Sequence, residues 1–257
     1  MIDKEVIKRN FSACAPYYDS YSEIQTLSAY KLIQKLDSRS FRRILEIGSG
    51  TGNYTRLLHE KFPQAYIKAV DISPAMIELI EKKLVGAEIE FVVLDAETDF
   101  LGEGFDLITS NLCLQWFSNL KQALARYQNL LQSEGVFLFS IFGPHTFWEL
   151  NSSLQEFFGQ DVSIPAVSFI SRKELEDVLK RYFGEFSLEE EVIKEEEPSL
   201  LDLLKKIKYS GGGRGLGFKK IWTPQTIFKL EEIYREKFKK IVVSYQIYFC
   251  QARKNER

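Results

Sequence analysis

Gly48, Gly50 and Gly52, with Glu46 two positions ahead of them, stand where a short apolar run gives way to an amphipathic stretch. Glycine lets a backbone turn sharply and approach a ligand with no Cβ in the way. The chemistry suggested is the cradling of a nucleotide-like molecule; a tight strand–helix turn without a ligand is the plain alternative. Asp71 closes a second apolar run 25 residues beyond Glu46. One βα unit after a glycine turn is where a carboxylate accepts hydrogen bonds from ribose hydroxyls, each worth about 1.5–3 kcal/mol when the acceptor is charged. Asp95 and Ala96 end a third run, and Asn111, Leu112, Gln115 and Trp116 follow a fourth. Trp116 reads equally as a pocket wall or as a core aromatic.

Two familiar phosphate sites are excluded by spacing. A dinucleotide fingerprint needs glycine at position 53, and this chain has Asn53. No lysine follows the glycine run as a P-loop requires. The scattered cysteines, Cys14, Cys113 and Cys250, form no CxxC pair and read as free thiols in a reducing compartment. Two histidines, His59 and His145, cannot build a His-rich zinc site, so no metal is expected.

These residues need a frame to converge. The runs RILEI, AYIKAVDIS, EIEFVVLDA, FDLITSNLCL and GVFLFSIFG alternate with helical patterns such as LKQALARYQNLL. That alternation predicts a parallel sheet with helices on both faces. Ser73 is placed to cap a helix with Pro74 at its first position, and Ser171 with Glu174 predicts a capping box. Residues from about 145 to 181 read as helical. FSLEEEVIKE and KIVVSYQIYFC read as late strands flanking a mixed segment from Pro198 to Lys240, which is expected to cover the ligand as a lid.

The expected organisation is one compact domain of 257 residues. A helical cover occupies about 1–40, divided at Pro16, with Ile24, Leu27, Ile33 and Leu36 at helical spacing. The cofactor-binding core spans 41–143, and 144–257 completes the sheet and carries the lid. With 45% hydrophobic and 27% charged residues and a net charge of −2, the chain reads as globular, with no reason to expect nucleic acid or an anionic membrane as partner. No signal peptide and no apolar run of about 20 residues is present, so a cytoplasmic location is expected.

The Glu46–Gly52 run resembles the nucleotide-binding motif of class I S-adenosylmethionine-dependent methyltransferases. The stretch SNLCLQWFSNLKQALARYQNLLQSEGVFLFSIFGPHTFWEL is more specific. With FSACAPYYDSYSEIQ near the N-terminus and LLDLLKKIKYSGGGRG late in the chain, it resembles the malonyl-acyl-carrier-protein O-methyltransferases of biotin synthesis. The likeness covers nearly the whole chain. It departs from the family pattern in a minor way at Cys14, which either replaces an alanine of the family's Ala-Ala pair or marks that pair as shifted by one, and at Tyr209-Ser210, where the family commonly has Gly-Ala.

The resemblance implies a Rossmann-like α/β sheet, mostly parallel with an antiparallel C-terminal strand, under a helical lid. It implies S-adenosylmethionine as cofactor, held by Glu46, Gly48, Gly50, Gly52, Asp71 and Ile72, with Asp95 and Ala96 reading adenine and Asn111, Gln115 and Trp116 lining the pocket. Gln25 and Tyr18 would fold over it from the N-terminal segment, although plain aromatic packing explains Tyr18 as well. Tyr18 and Arg214 are the catalytic candidates; Arg214 follows the glycines at 211–213, themselves readable as a flexible loop. A guanidinium there suits a carboxylate.

The implied substrate is the free carboxylate of malonyl thioester on acyl carrier protein or on coenzyme A, methylated to the ester that starts pimeloyl and biotin synthesis by a monomeric enzyme. Lys205, Lys206, Lys208, Lys219 and Lys220 either dock the acidic carrier or form a solvated face. Three rival readings stand beside this one. They are a methyltransferase acting on a phenol, quinone or other acid, a non-catalytic cofactor-binding protein on the same fold, and a nicotinamide dehydrogenase, which Asn53 disfavours.

Overall fold

The computed structural model describes residues 3–36, 39–212 and 223–254. Among them, seven strands form one sheet in the order β3-β2-β1-β4-β5-β7-β6. These are β1 (Arg43–Ile47), β2 (Tyr66–Asp71), β3 (Ile89–Val93), β4 (Phe105–Asn111), β5 (Leu131–Phe142), β6 (Glu185–Glu197) and β7 (Ile241–Arg253). The first five run parallel, and β7 alone is antiparallel to both of its neighbours. The mostly parallel sheet with an antiparallel last strand is therefore the one the sequence led us to expect.

The inner strands β1, β4 and β5 read as near-continuous apolar runs because both faces are covered. One face packs under α2 (Glu23–Gln34), α3 (Asn53–Lys61), α6 (Trp148–Phe158), α8 (Leu200–Ile207) and α9 (Pro224–Phe238) around Ile44, Leu107, Leu138 and Ile247. The other packs under α5 (Leu120–Leu130) and α7 (Arg172–Tyr182) around Leu45, Ile108, Phe137 and Tyr127. The stretch read as helical from 145 to 181 is divided. Between α6 and α7 lies a chain segment with only a short 3-10 turn, Pro165–Ser168.

Local signals set the helix starts. Ser73 Oγ accepts from the Met76 N–H with Pro74 following, which starts α4 (Pro74–Lys83). Ser171 and Glu174 form the full capping box of α7. The amino-terminal helix, α1 (Lys4–Cys14), is capped by Asp3, whose carboxylate accepts from the Glu5 and Val6 N–H groups. This helix does not join the sheet core. It lies across the carboxyl ends of the strands and packs on α4, where Ser12 Oγ meets Ser73 Oγ at 2.8 Å.

No helix among the described residues is long and apolar enough to cross a membrane, and no cluster of metal-ligating side chains occurs among them.

Candidate active site

The carboxyl ends of β1, β2, β3 and β4 open onto a cavity of about 650 Å³. Backbone geometry builds its floor. Gly48 has φ +72°, and a Cβ there would overlap the side chain of Cys113. Gly52 has φ +90°, and its Cβ would lie 2.6 Å from Ile80 Cγ1. Glycine is thus required at both positions, but for different reasons: Gly48 lines the cavity, whereas Gly52 seats α3 against α4 away from it.

Asp71, at the end of β2, accepts the Gly50 N–H at 3.0 Å and the Ser73 N–H at 2.8 Å. Burial raises its pKa, opposed by the N–H groups of Ser73, Gly50 and Ile72. Each carboxylate oxygen has two lone-pair sites, so acceptor capacity remains for a ligand. Glu46 sits beneath the floor, 1% exposed, and Oε2 has no partner among the described residues. Burial pushes its carboxyl up to about 8.

The loop after β3 is held from several sides. Tyr127 Oη donates to the Ala96 carbonyl at 2.8 Å, and Arg126 donates to the carbonyls of Ala96, Glu97 and Asp99. From above, Lys4 pairs with Glu97 at 2.6 Å and Asp95 at 3.4 Å, with its ammonium 4.4 Å from the Phe117 ring centroid. Sequence reasoning missed Lys4, Arg126 and Tyr127. Their contacts span about thirty residues or more, and neither an isolated lysine nor an Arg-Tyr pair inside a helix carries a local signal.

A second cavity, of about 700 Å³, adjoins the first across a wall formed by Phe11, Tyr18, Leu112 and Trp116. Its remaining lining is mostly apolar and aromatic, with Phe142, Phe147, Phe169 and Tyr245 prominent; Gln25, Gln115 and Ser210 are the polar exceptions, and no charged side chain faces it among the described residues. Trp116 packs edge-on against both Phe11 and Phe169 at 6.0 Å. The turn Lys208–Gly212 closes the far side. Tyr209 stacks on Tyr21 at 5.0 Å and leans on Tyr17 at 5.1 Å, while Gly211 backs directly onto the Phe11 ring.

Of the residues singled out in the sequence, Tyr18, Gly48, Gly50, Asp71, Ile72, Asp95, Ala96, Asn111 and Trp116 line the first cavity. Gln25 and Gln115 line the second, which Tyr18 and Trp116 share. Glu46 and Gly52 line neither. Arg214, Lys219 and Lys220 lie outside the described residues. Asn111 has a further task. Its Nδ2 donates to the Gln25 carbonyl at 3.0 Å and its Oδ1 accepts from Ser140 Oγ at 2.8 Å, while Ser28 Oγ donates to Ser140. That network fastens α2 to the carboxyl ends of β4 and β5.

The three described lysines of the late basic cluster are engaged within the chain. Lys206 lies among Glu23, Glu195 and Glu197 at 3.3, 2.7 and 3.0 Å, Lys205 pairs with Asp202, and Lys208 lies over Tyr209.

Comparison with known proteins places this geometry. A family model described as a methyltransferase domain matches residues 45–139. The malonyl-acyl-carrier-protein O-methyltransferase 2 of Ilyobacter polytropus is 38% identical over 240 residues, covering 93% of this chain and 92% of the relative. Among solved structures, YcgJ of Bacillus subtilis superposes with a TM-score of 0.64 at 16% identity, covering 90% of this chain and 99% of the other. Phosphoethanolamine N-methyltransferase 2 of Haemonchus contortus, solved with S-adenosyl-L-methionine, gives 0.59 at 19% identity over 95% of this chain and 57% of the other. At such identities the two structures speak for the fold alone.

Proposed function

This chain belongs to the malonyl-acyl-carrier-protein O-methyltransferase family, and from that premise we infer that it methylates the free carboxylate of a malonyl thioester on acyl carrier protein, using S-adenosylmethionine. The observation that carries the reading is the pairing of two unlike cavities across one thin wall. One presents carboxylates and strand-end backbone to a cationic nucleoside. The other offers an uncharged aromatic chamber to the acceptor.

The first cavity suits the cofactor by its donor set. Asp71 and Asp95 face a ligand that is positively charged, and Gly48 and Gly50 leave backbone where a side chain would obstruct it. When bound, S-adenosylmethionine supplies an electrophilic methyl on its sulfonium. Asp71 and Asp95 would hold the nucleoside, and the Phe11–Tyr18–Trp116 wall would set the direction in which that methyl is presented.

A malonate-type carboxylate is ionised at neutral pH, so no base is needed to generate the nucleophile. The second cavity agrees with that economy, because no histidine lines it among the described residues. Burial raises the pKa of Tyr18, which keeps its phenol protonated; it is a donor and a wall, not a base. The apolar lining would strip water from the carboxylate and fix its approach, the two contributions to the rate left for the chain to make. Arg214, placed by sequence in the lid segment, would orient one carboxylate oxygen and leave the other free to attack. Too tight a pair would blunt the nucleophile.

The test is incubation with S-adenosylmethionine and malonyl-acyl carrier protein, read by mass spectrometry for the methyl ester. Rapid ester formation with malonyl carrier and none with acetyl carrier is expected. No ester from an enzyme that binds the cofactor would sink the malonyl assignment. Arg214→Ala is expected to raise KM for the malonyl substrate and erode its preference over uncharged acyl groups; unchanged turnover and selectivity would remove Arg214 from the site.

A further inference from the structure

Two residues that line the second cavity each carry a side-chain oxygen that nothing around it answers. Gln115 is 7% exposed, and its Nε2 donates to the Leu112 carbonyl at 2.6 Å, which fixes the amide's orientation. Its Oε1 is buried with no hydrogen-bond partner among the described residues. Gln25, from α2 and lining the same chamber, also has a buried Oε1 without a partner among the described residues. A buried acceptor left unpaired is a standing cost, and two of them on one apolar cavity point to a ligand that brings a donor.

The substrate's reacting end brings none. A malonyl carboxylate is ionised and accepts only, and the thioester carbonyl and sulfur have no N–H or O–H to give. The first donor on such a substrate is the amide N–H of the pantetheine arm, two methylenes beyond the thioester sulfur. The cofactor's donors are its ammonium, ribose hydroxyls and adenine amine. They belong to the first cavity, which Gln115 and Gln25 do not line.

We propose that Gln115, with Gln25 on the same cavity, is the specificity residue that accepts this first amide N–H, so that the enzyme selects a malonyl group carried on a pantetheine arm over other malonyl esters and thioesters. The proposal rests on the acceptor assignment above and deepens it. Gln115 then acts through substrate position alone. It sits one residue from Trp116 in the dividing wall, so an arm gripped there directs the carboxylate toward the first cavity. Because its Nε2 is committed to Leu112, the amide cannot reverse to offer a donor without leaving that carbonyl unpaired. The selection is therefore for a donor and against an acceptor.

The experiment uses two small substrates, the malonyl thioester of N-acetylcysteamine and the same molecule with an ester oxygen in place of the amide N–H. Wild-type enzyme is expected to favour the amide by about tenfold or more in kcat/KM, mainly through KM, since the ester sets oxygen against oxygen. Gln115→Met, close in size and without polar atoms, is expected to collapse that ratio to about one to two while binding S-adenosylhomocysteine as tightly as wild type. An equal rate on both substrates by wild-type enzyme overturns the proposal without any variant. A preference that survives in Gln115→Met also overturns it. So does a Gln115→Met enzyme that loses cofactor affinity with its ratio intact, a result that would return Gln115 to the cofactor. Failure of both small thioesters, in an enzyme that methylates malonyl-acyl carrier protein, counts against a reader of the short arm. Failure on the carrier substrate itself strikes the acceptor assignment and takes this inference with it.

Discussion

The two cavities meet at the same four side chains yet are built by opposite means. The first is made of strand ends. Three successive βα turns deliver Gly48 and Gly50, then Asp71, then Asp95, and main-chain N–H groups hold Asp71 at 2.8–3.0 Å. The second is made of rings drawn from distant segments, with Phe147 and Tyr245 at 5.2 Å, Phe142 and Tyr245 at 6.1 Å, and Trp116 and Phe169 at 6.0 Å. The difference follows the charge of the guest. A cation is held by carboxylates that the backbone fixes in place, whereas a carboxylate that must attack is served by removal of water. Changes in the first cavity should therefore move cofactor affinity and leave acceptor choice alone; changes in the second should do the reverse.

The largest expected effect comes from the carboxyl buried under the first cavity. Glu46 has an ordinary carboxylate pKa when unfolded and about 8 when folded, because burial disfavours its ionised form. Between those values the folded chain holds a proton that the unfolded chain has released, so stability falls as pH rises from about 4.5 to about 8 and is level above. Glu46→Gln should remove that slope. The variant is expected to gain stability relative to wild type by an amount on the order of a few kcal/mol at the alkaline end, measured as denaturant midpoints across pH. Parallel curves for the two proteins would show that Glu46 ionises freely. No equivalent slope is expected from the second cavity, which has no carboxylate among its described lining.

Next in size is Gly48→Ala, which combines a positive φ with overlap of Cys113. It should weaken S-adenosylhomocysteine binding about a hundredfold or more in titration calorimetry. A near-normal Kd would mean that the floor can yield. The mirror test is Phe169→Ala, in the ring wall only. It should raise KM for the malonyl substrate by about tenfold while cofactor Kd stays within about twofold. Equal movement of both constants would break the division between the two halves.

This division also governs what the sequence made legible. The glycine turn, Asp71 and Asp95 are each written within a few residues of a strand end, so pattern alone locates them, and the parallel sheet follows from the same alternation. Ser73 and Ser171 were readable as caps because a cap is a local device. The second cavity was not legible. Phe142, Phe147, Phe169 and Tyr245 look like core aromatics one at a time, and only the tertiary fold makes them one chamber. Lys206 shows the same limit from the other side. In sequence it is part of a basic helix face suited to a carrier, but β6 and α2 bring three carboxylates to it, and burial among them turns it into a clamp. Glu46 and Gly52 belong to the motif by sequence, yet they act beneath the floor and behind it.

The smallest effect should come from Lys4, and it tests whether the cover over the first cavity is part of the cofactor site. Lys4 is the first residue of α1, where a positive charge opposes the helix dipole. Replacing it with methionine should favour the helix slightly, so any loss of cofactor affinity would not come from fraying. What Lys4 does supply is a tie to the loop after β3. Burial alone would raise the Glu97 pKa, but Lys4 and the N–H groups of Ser118 and Asn119 outweigh it and leave the carboxyl below its ordinary value. The same ammonium reaches Asp95. These groups are partly exposed, so the bond is modest and screened by salt. Lys4→Met is expected to weaken S-adenosylhomocysteine binding about two- to fivefold at low ionic strength, with the gap closing as salt is added. A deficit that salt does not change would instead assign Lys4 a packing role over Phe117, and the cover would then hold the cofactor by shape and not by charge.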